Sequence, residues 1–135
     1  MPRSQGTALR AEAPTEMNLN HLDLQVSDVP AHVAFFERLF GLACAGNRAS
    51  PAIAILHDGA GFTLVLQRKK RPEEGYPEGF HFGFLVDDVA AVEAFHAKAE
   101  AEGAEVSDVL RNNRGVMVYC RSPEGLVVEV SARRR

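Results

Sequence analysis

Apolar and polar positions follow two regular periods along this chain. Leu22, Leu24 and Val26 alternate with His21, Asp23 and Gln25, the period of a strand with one face in a core and a polar face that carries a histidine. Val33, Phe36, Leu39 and Phe40 then recur at helical spacing. Ser27 or Asp28 is the expected cap of that helix, Pro30 falls in its first turn and Gly41 ends it. Apolar segments over 52–57 and 61–67 flank Asp58-Gly59-Ala60 and predict a hairpin, with a weaker strand near 43–48.

After a connector from Arg68 to Gly79, rich in charge, Pro and Gly, the plan returns. A strand is expected over His81 to Val86, then a helix from Val89 to Glu102, capped by Asp88 and ended by Gly103. Strands near 106–110, 116–121 and 125–131 follow, the last two joined by the turn Ser122-Pro123-Glu124-Gly125.

The repetition is literal. At an offset of 60, His21 recurs as His81, Val26 as Val86, Asp28 as Asp88, Ala31 as Ala91, Ala34 as Ala94 and Phe35 as Phe95. The closing strands align at an offset of 64, so Val65 is the counterpart of Glu129. Two βαβββ modules, about 18–67 and 80–131, are therefore expected, related by a pseudo-twofold axis. The fold class is α+β, a curved mixed sheet around a cavity, with helices outside and alternate strand residues lining the concave face.

Composition narrows the function. The 135 residues are 46% hydrophobic and 24% charged with a formal net charge of −3, which points to neither a nucleic acid nor a membrane as partner. Residues 1–16 are polar, without a signal-peptide-like core, and read as a flexible extension before a second potential start at Met17. A cytoplasmic protein with reduced Cys44 and Cys120 is expected, since their spacing suggests no disulfide framework.

Alternation puts His21, Asp23 and Gln25, with Thr63, Val65 and Gln67, on the inner face of the first half, and His81, Gly83, Leu85, Val127, Glu129 and Ser131 on that of the second. Two imidazoles and a carboxylate from separate strands, His21, His81 and Glu129, match a facial ligand set for a divalent first-row metal (Fe, Mn, Zn, Ni or Co) with positions left for water and substrate. Asp23 and Tyr119 are the candidate proton-handling residues, although the strand of Tyr119 has an alternative setting that turns Val118 and Cys120 inward. Gln67 is an alternative fourth ligand, two residues beyond Val65. Arg68-Lys69-Lys70-Arg71, Arg111 and Arg114 form either a basic rim for an anionic substrate or solvated loops, and His32, His57 and His96 fall at surface or helix positions.

The segments 20–26 (Asn-His-Leu-Asp-Leu-Gln-Val), 80–88 (Phe-His-Phe-Gly-Phe-Leu-Val-Asp-Asp) and 122–130 (Ser-Pro-Glu-Gly-Leu-Val-Val-Glu-Val), with Gly41-Leu42 after the first helix, resemble the vicinal oxygen chelate superfamily of glyoxalases, bleomycin resistance proteins and extradiol dioxygenases. The resemblance covers about residues 18–131 and implies paired βαβββ modules. It also implies that His21, His81 and Glu129 correspond to metal ligands of its metal-dependent members. Val65 departs from the glyoxalase I and epimerase pattern, which has a fourth protein ligand there. A three-ligand site is similar to those of fosfomycin-type transferases and two-His-one-carboxylate dioxygenases, though no potassium-binding loop is found over 103–115. The expectation is a metal-dependent enzyme of lyase, thiol transferase or dioxygenase type acting on a small oxygen-bearing substrate. The alternative is a metal-free small-molecule binding protein of resistance or sequestration type. Exposed sheet edges on each module further suggest a homodimer.

Overall fold

A computed structural model of the chain describes residues 17–133. The expected extension 1–16 and the last two arginines lie outside the described residues. The first module runs β1 (His21–Val26), α1 (Val29–Phe40), β2 (Ala43–Ala45), β3 (Ile53–His57) and β4 (Thr63–Arg68). The second runs β5 (His81–Leu85), α2 (Val89–Ala101), β6 (Glu105–Val106), β7 (Leu110–Asn112), β8 (Gly115–Arg121) and β9 (Val127–Arg133). The strand expected over 106–110 is split into β6 and β7, because the chain between them leaves the partner strand β8 and rejoins it nearer the hairpin at Gly115.

The two helices begin alike. Asp28 Oδ1 accepts from the Ala31 amide at 3.0 Å, and Asp88 Oδ1 from the Ala91 amide at 2.9 Å, each satisfying a first-turn donor that has no partner within the helix. Gly41 closes α1 at φ 71°, a left-handed conformation that a side chain would strain. Neither helix of the described residues is long and apolar enough to cross a membrane.

The strands form two mixed sheets, one per module. The first has the order β1-β4-β3-β2 and the second β5-β9-β8-β6, with β7 also on β8. In both, the first strand lies parallel to the last and forms a free edge. The α+β, glyoxalase-like class with curved sheets is as expected; the single mixed sheet is realised as two.

The packing explains why. Leu24, Val26, Leu64 and Leu66 from the first sheet, Val33 and Phe36 from α1, Cys120 and Val128 from the second sheet, and Leu126 just before β9 belong to one buried cluster. Phe36 meets Phe82, and Phe40 stacks on Phe84 at 5.0 Å. The two sheets thus share α1 through their apolar faces, and the histidine-bearing faces are the reverse sides. Burial of these aromatic side chains supplies a large apolar contribution along the seam.

A polar clamp fixes the seam. His32, expected at a surface or helix position, is on α1 but fully buried. Its Nδ1–H donates to the Asp28 carbonyl at 2.8 Å, which leaves Nε2 to accept from the Ser122 hydroxyl at 2.9 Å. Glu124, two residues on, accepts from the Ser27 amide at 2.7 Å and pairs with Lys69 at 3.1 Å. Burial pushes the Glu124 carboxyl upward, but the Ser27 amide and the Lys69 ammonium outweigh it and hold the group below its usual value.

Candidate metal and substrate site

On the second sheet, β5, β9 and β8 set His81, Glu129 and Tyr119 side by side. Gly83 pairs with Glu129, and Tyr119 pairs with Glu129 from the other flank. The alternative setting of β8 is resolved by its burial: Val118 and Cys120 enter the core and Tyr119 stays on the ligand face. Its ring meets that of His81 edge-on at 6.2 Å.

His81 Nε2 lies 3.4 Å from Glu129 Oε1, with the two side chains 48% and 14% exposed. His81 Nδ1 donates to the Gly79 carbonyl at 3.0 Å, which fixes the tautomer and leaves the Nε2 lone pair facing Glu129. Donors at ~2.1 Å from one ion stand roughly 3.0 to 3.4 Å apart, so this pair fits a shared metal. Gly83 keeps the space open. A Cβ there would strike the Glu129 carbonyl oxygen and lie 2.8 Å from its carbon and 2.9 Å from its own Cβ.

The first sheet carries the other group. His21, Thr63 and His57 form one row across β1, β4 and β3; Asp23, Val65 and Ile55 form the next; Gln25, Gln67 and Ile53 the third. Val65 therefore occupies the place that Glu129 holds in the second sheet, and Gln67 shares its face. Gln67 Nε2 donates to Asp23 Oδ2 at 2.6 Å. His57 shares a hydrogen bond of 3.3 Å with Thr63, and His96, on α2, sits 3.7 Å from Glu100.

One chain does not bring His21 to His81 and Glu129: among the described residues, no three His, Cys, Asp or Glu side chains gather as a metal-holding group. The two ligand faces belong to sheets whose apolar sides share α1. Consistently, the hollow beside His81, Glu129 and Ser131 measures only about 210 Å³. The larger cleft, about 720 Å³, lies instead along Leu22, Leu64, Phe82 and Phe84, away from the ligand atoms.

Three of the six cations of the expected basic rim are paired with carboxylates. Lys69 pairs with Glu124, Arg71 with Glu73 and Glu74, and Arg111 with Glu93. Buried Ser131, one row beyond Glu129, has a hydroxyl without a hydrogen-bond partner. The alternation that exposed the ligand rows in the sequence gave no sign of His32, because a histidine at a helical position carries no signal of a partner ninety residues away.

Comparison with known proteins places these features in context. A family model described as Glyoxalase/Bleomycin resistance protein/Dioxygenase superfamily matches residues 18–130. The uncharacterised protein PA2024 of Pseudomonas aeruginosa is 31% identical over 121 residues, 84% of this chain and 86% of that protein. A solved structure described as a possible glyoxalase from Bacillus cereus is 33% identical, covers 87% of this chain and 100% of its own, and superposes with a TM-score of 0.75. Lactoylglutathione lyase from Agrobacterium tumefaciens is 25% identical, over 90% of this chain and 96% of that one, at a TM-score of 0.70. FosX, a fosfomycin resistance protein from Listeria monocytogenes complexed with manganese(II) and 1S,2S-dihydroxypropylphosphonic acid, shares the fold at 18% identity and a TM-score of 0.70, over 89% of this chain and 93% of its own.

Proposed function

The chain belongs to the Glyoxalase/Bleomycin resistance protein/Dioxygenase superfamily, and from that premise we propose a metal-dependent enzyme whose site is completed between two chains. His21 comes from one protomer, and His81 with Glu129 from the other. The observation that carries this reading is the 3.4 Å His81–Glu129 pair on an open face, with the symmetry-related His21 on an equally open face of the same chain. A second copy joins one face of each kind twice over, which gives two equivalent sites per homodimer. The manganese in FosX supports a divalent ion as the cofactor.

The residues divide the work. His81, aimed by the Gly79 carbonyl, and Glu129 would hold the ion with His21, and Val65 leaves a coordination position to an oxygen of a small substrate. A bound divalent ion polarises that oxygen as a Lewis acid. Tyr119 stands beside Glu129, where its hydroxyl can give or take a proton at the chelated group. The reaction is of lyase, thiol transferase or dioxygenase type.

The test is metal content followed by complementation. Protein purified without chelator should carry one divalent ion per chain, and a dimer should appear by light scattering at micromolar concentration. Mixing inactive His21→Ala chains with inactive Glu129→Ala chains should restore metal to one of the two hybrid sites. A monomer without metal would favour the metal-free binding protein instead.

A further inference from the structure

The row beyond Asp23 holds two amides in one fixed orientation. Asp23 Oδ1 accepts from Gln25 Nε2 at 2.8 Å, and Oδ2 from Gln67 Nε2 at 2.6 Å. An ionised carboxylate only accepts, so both amides must turn their NH2 groups to it and their carbonyl oxygens away. Among the described residues, neither carbonyl oxygen has a hydrogen-bond partner. The Gln25 backbone is also pinned: its N–H donates to the Tyr76 hydroxyl at 2.7 Å, and that hydroxyl donates to the Gln25 carbonyl at 3.2 Å. Tyr76 itself stacks on Phe80 at 4.6 Å.

The fold does not require this arrangement. In the second module the equivalent row is Leu85, Ser131 and Met117, and the place of Asp23 is taken by Gly83. Only the first module builds a clamped pair of acceptors, on the face that also carries His21.

Resting on the metal-dependent reading above, we infer that Gln25 and Gln67 form an acceptor pair for the far end of the substrate, a group carrying N–H or O–H donors such as an ammonium or a hydroxyl. The pair sits four residues along β1 from His21, about 13 Å at strand rise, so the donor end lies several bonds from the chelated oxygen. The Asp23 carboxylate and both amide carbonyl oxygens present the same sign of charge to an incoming group, which favours a donor over an anion at the pair itself. Asp23 is then a positioning residue, with both oxygens committed to the amides.

Matched probes test this. 6-Aminohexanehydroxamate and hexanehydroxamate share one chelating head and differ only in the terminal donor. The manganese-loaded dimer should bind the amino probe about 10-fold more tightly or better, given that hydrogen bonds to charged groups are the stronger kind. Gln67→Leu and Asp23→Ala should bring that preference to within about 2-fold while manganese content stays unchanged. Equal binding of the two probes by a manganese-loaded native dimer overturns the inference and leaves the metal reading standing. Absence of any divalent first-row ion from the native protein, with no uptake of manganese on loading, removes the metal reading. In that case the side-chain NH2 signals of Gln25 and Gln67 in the metal-free protein still decide the clamp, and identical signals in native and Asp23→Ala protein overturn it.

Discussion

Gly83→Ala tests how tightly β5 and β9 must approach for Glu129 to stand uncovered. The added methyl would strike the Glu129 carbonyl oxygen and sit 2.8 and 2.9 Å from its carbonyl carbon and Cβ, inside ordinary contact of about 3.5 Å. The obstacle is backbone on a central strand, so no side-chain rotation relieves it, and β5 must move outward at its pairing with Glu129. Overpacking of this kind costs roughly 1 to 3 kcal/mol, which at about 4 °C per kcal/mol for a chain of this size predicts a Tm lower by roughly 4 to 12 °C. The displacement acts on the strand that carries His81, so metal affinity should fall by at least about 10-fold, the equivalent of 1.4 kcal/mol. Gly75→Ala, where an added methyl meets nothing within 4 Å, is the control and should change neither quantity. Thermal unfolding by circular dichroism and manganese titration read the two effects. A Gly83→Ala protein that melts within 1 °C of the native one, with unchanged affinity, would refute the close-approach argument.

Three further outcomes follow from the same structure. Val65→Glu should tighten manganese binding by about 10-fold or more and remove a fast-exchanging water from the ion, since a carboxylate adds a ligand; unchanged affinity and unchanged proton relaxivity would place Val65 away from the ion. Ser131→Ala removes a buried hydroxyl without a partner and should be neutral or stabilising by up to about 1 kcal/mol in urea unfolding, whereas a clear loss of stability would mean that the hydroxyl is bonded. Burial, and secondarily the charge of Glu105, pushes the Cys120 thiol from 9.0 up to about 11. Below pH 9 both folded and unfolded chains keep that proton, while above it the unfolded chain ionises first, so stability should decline from about pH 9 to 11. Cys120→Ala should remove that part of the decline, and at pH 8 a thiol reagent should modify Cys44 alone in the native protein; equal labelling of both would contradict the burial.

The sequence carried most of the secondary structure because its two periods are clean. His21 to Val26 alternates, α1 has caps at both ends, and the repeat matches β1, α1 and β4 to β5, α2 and β9. The faces of Val65, Glu129 and Gln67 could be assigned for the same reason, since period-two alternation leaves a residue only two directions. The mutual placement of those faces was not legible. A repeat says that two sheets are alike but not which sides meet, and here Phe36, Phe40, Phe82 and Phe84 decide it by joining the sheets through their apolar sides. His32 and Ser122 were hidden for a related reason. Their pairing exists only once that seam has formed.

Tyr76 has one more consequence, for what can attach to β1. The peptide groups of Asn20 and Val26 face β4, so by strand alternation those of His21, Asp23 and Gln25 face the free edge. At Gln25 the tyrosine hydroxyl occupies both the donor and the acceptor. An incoming strand therefore finds backbone partners at His21 and Asp23 and a blocked position immediately after them. The tyrosine acts as a stop that limits the free backbone groups of this edge to one short run, which curbs open-ended strand addition.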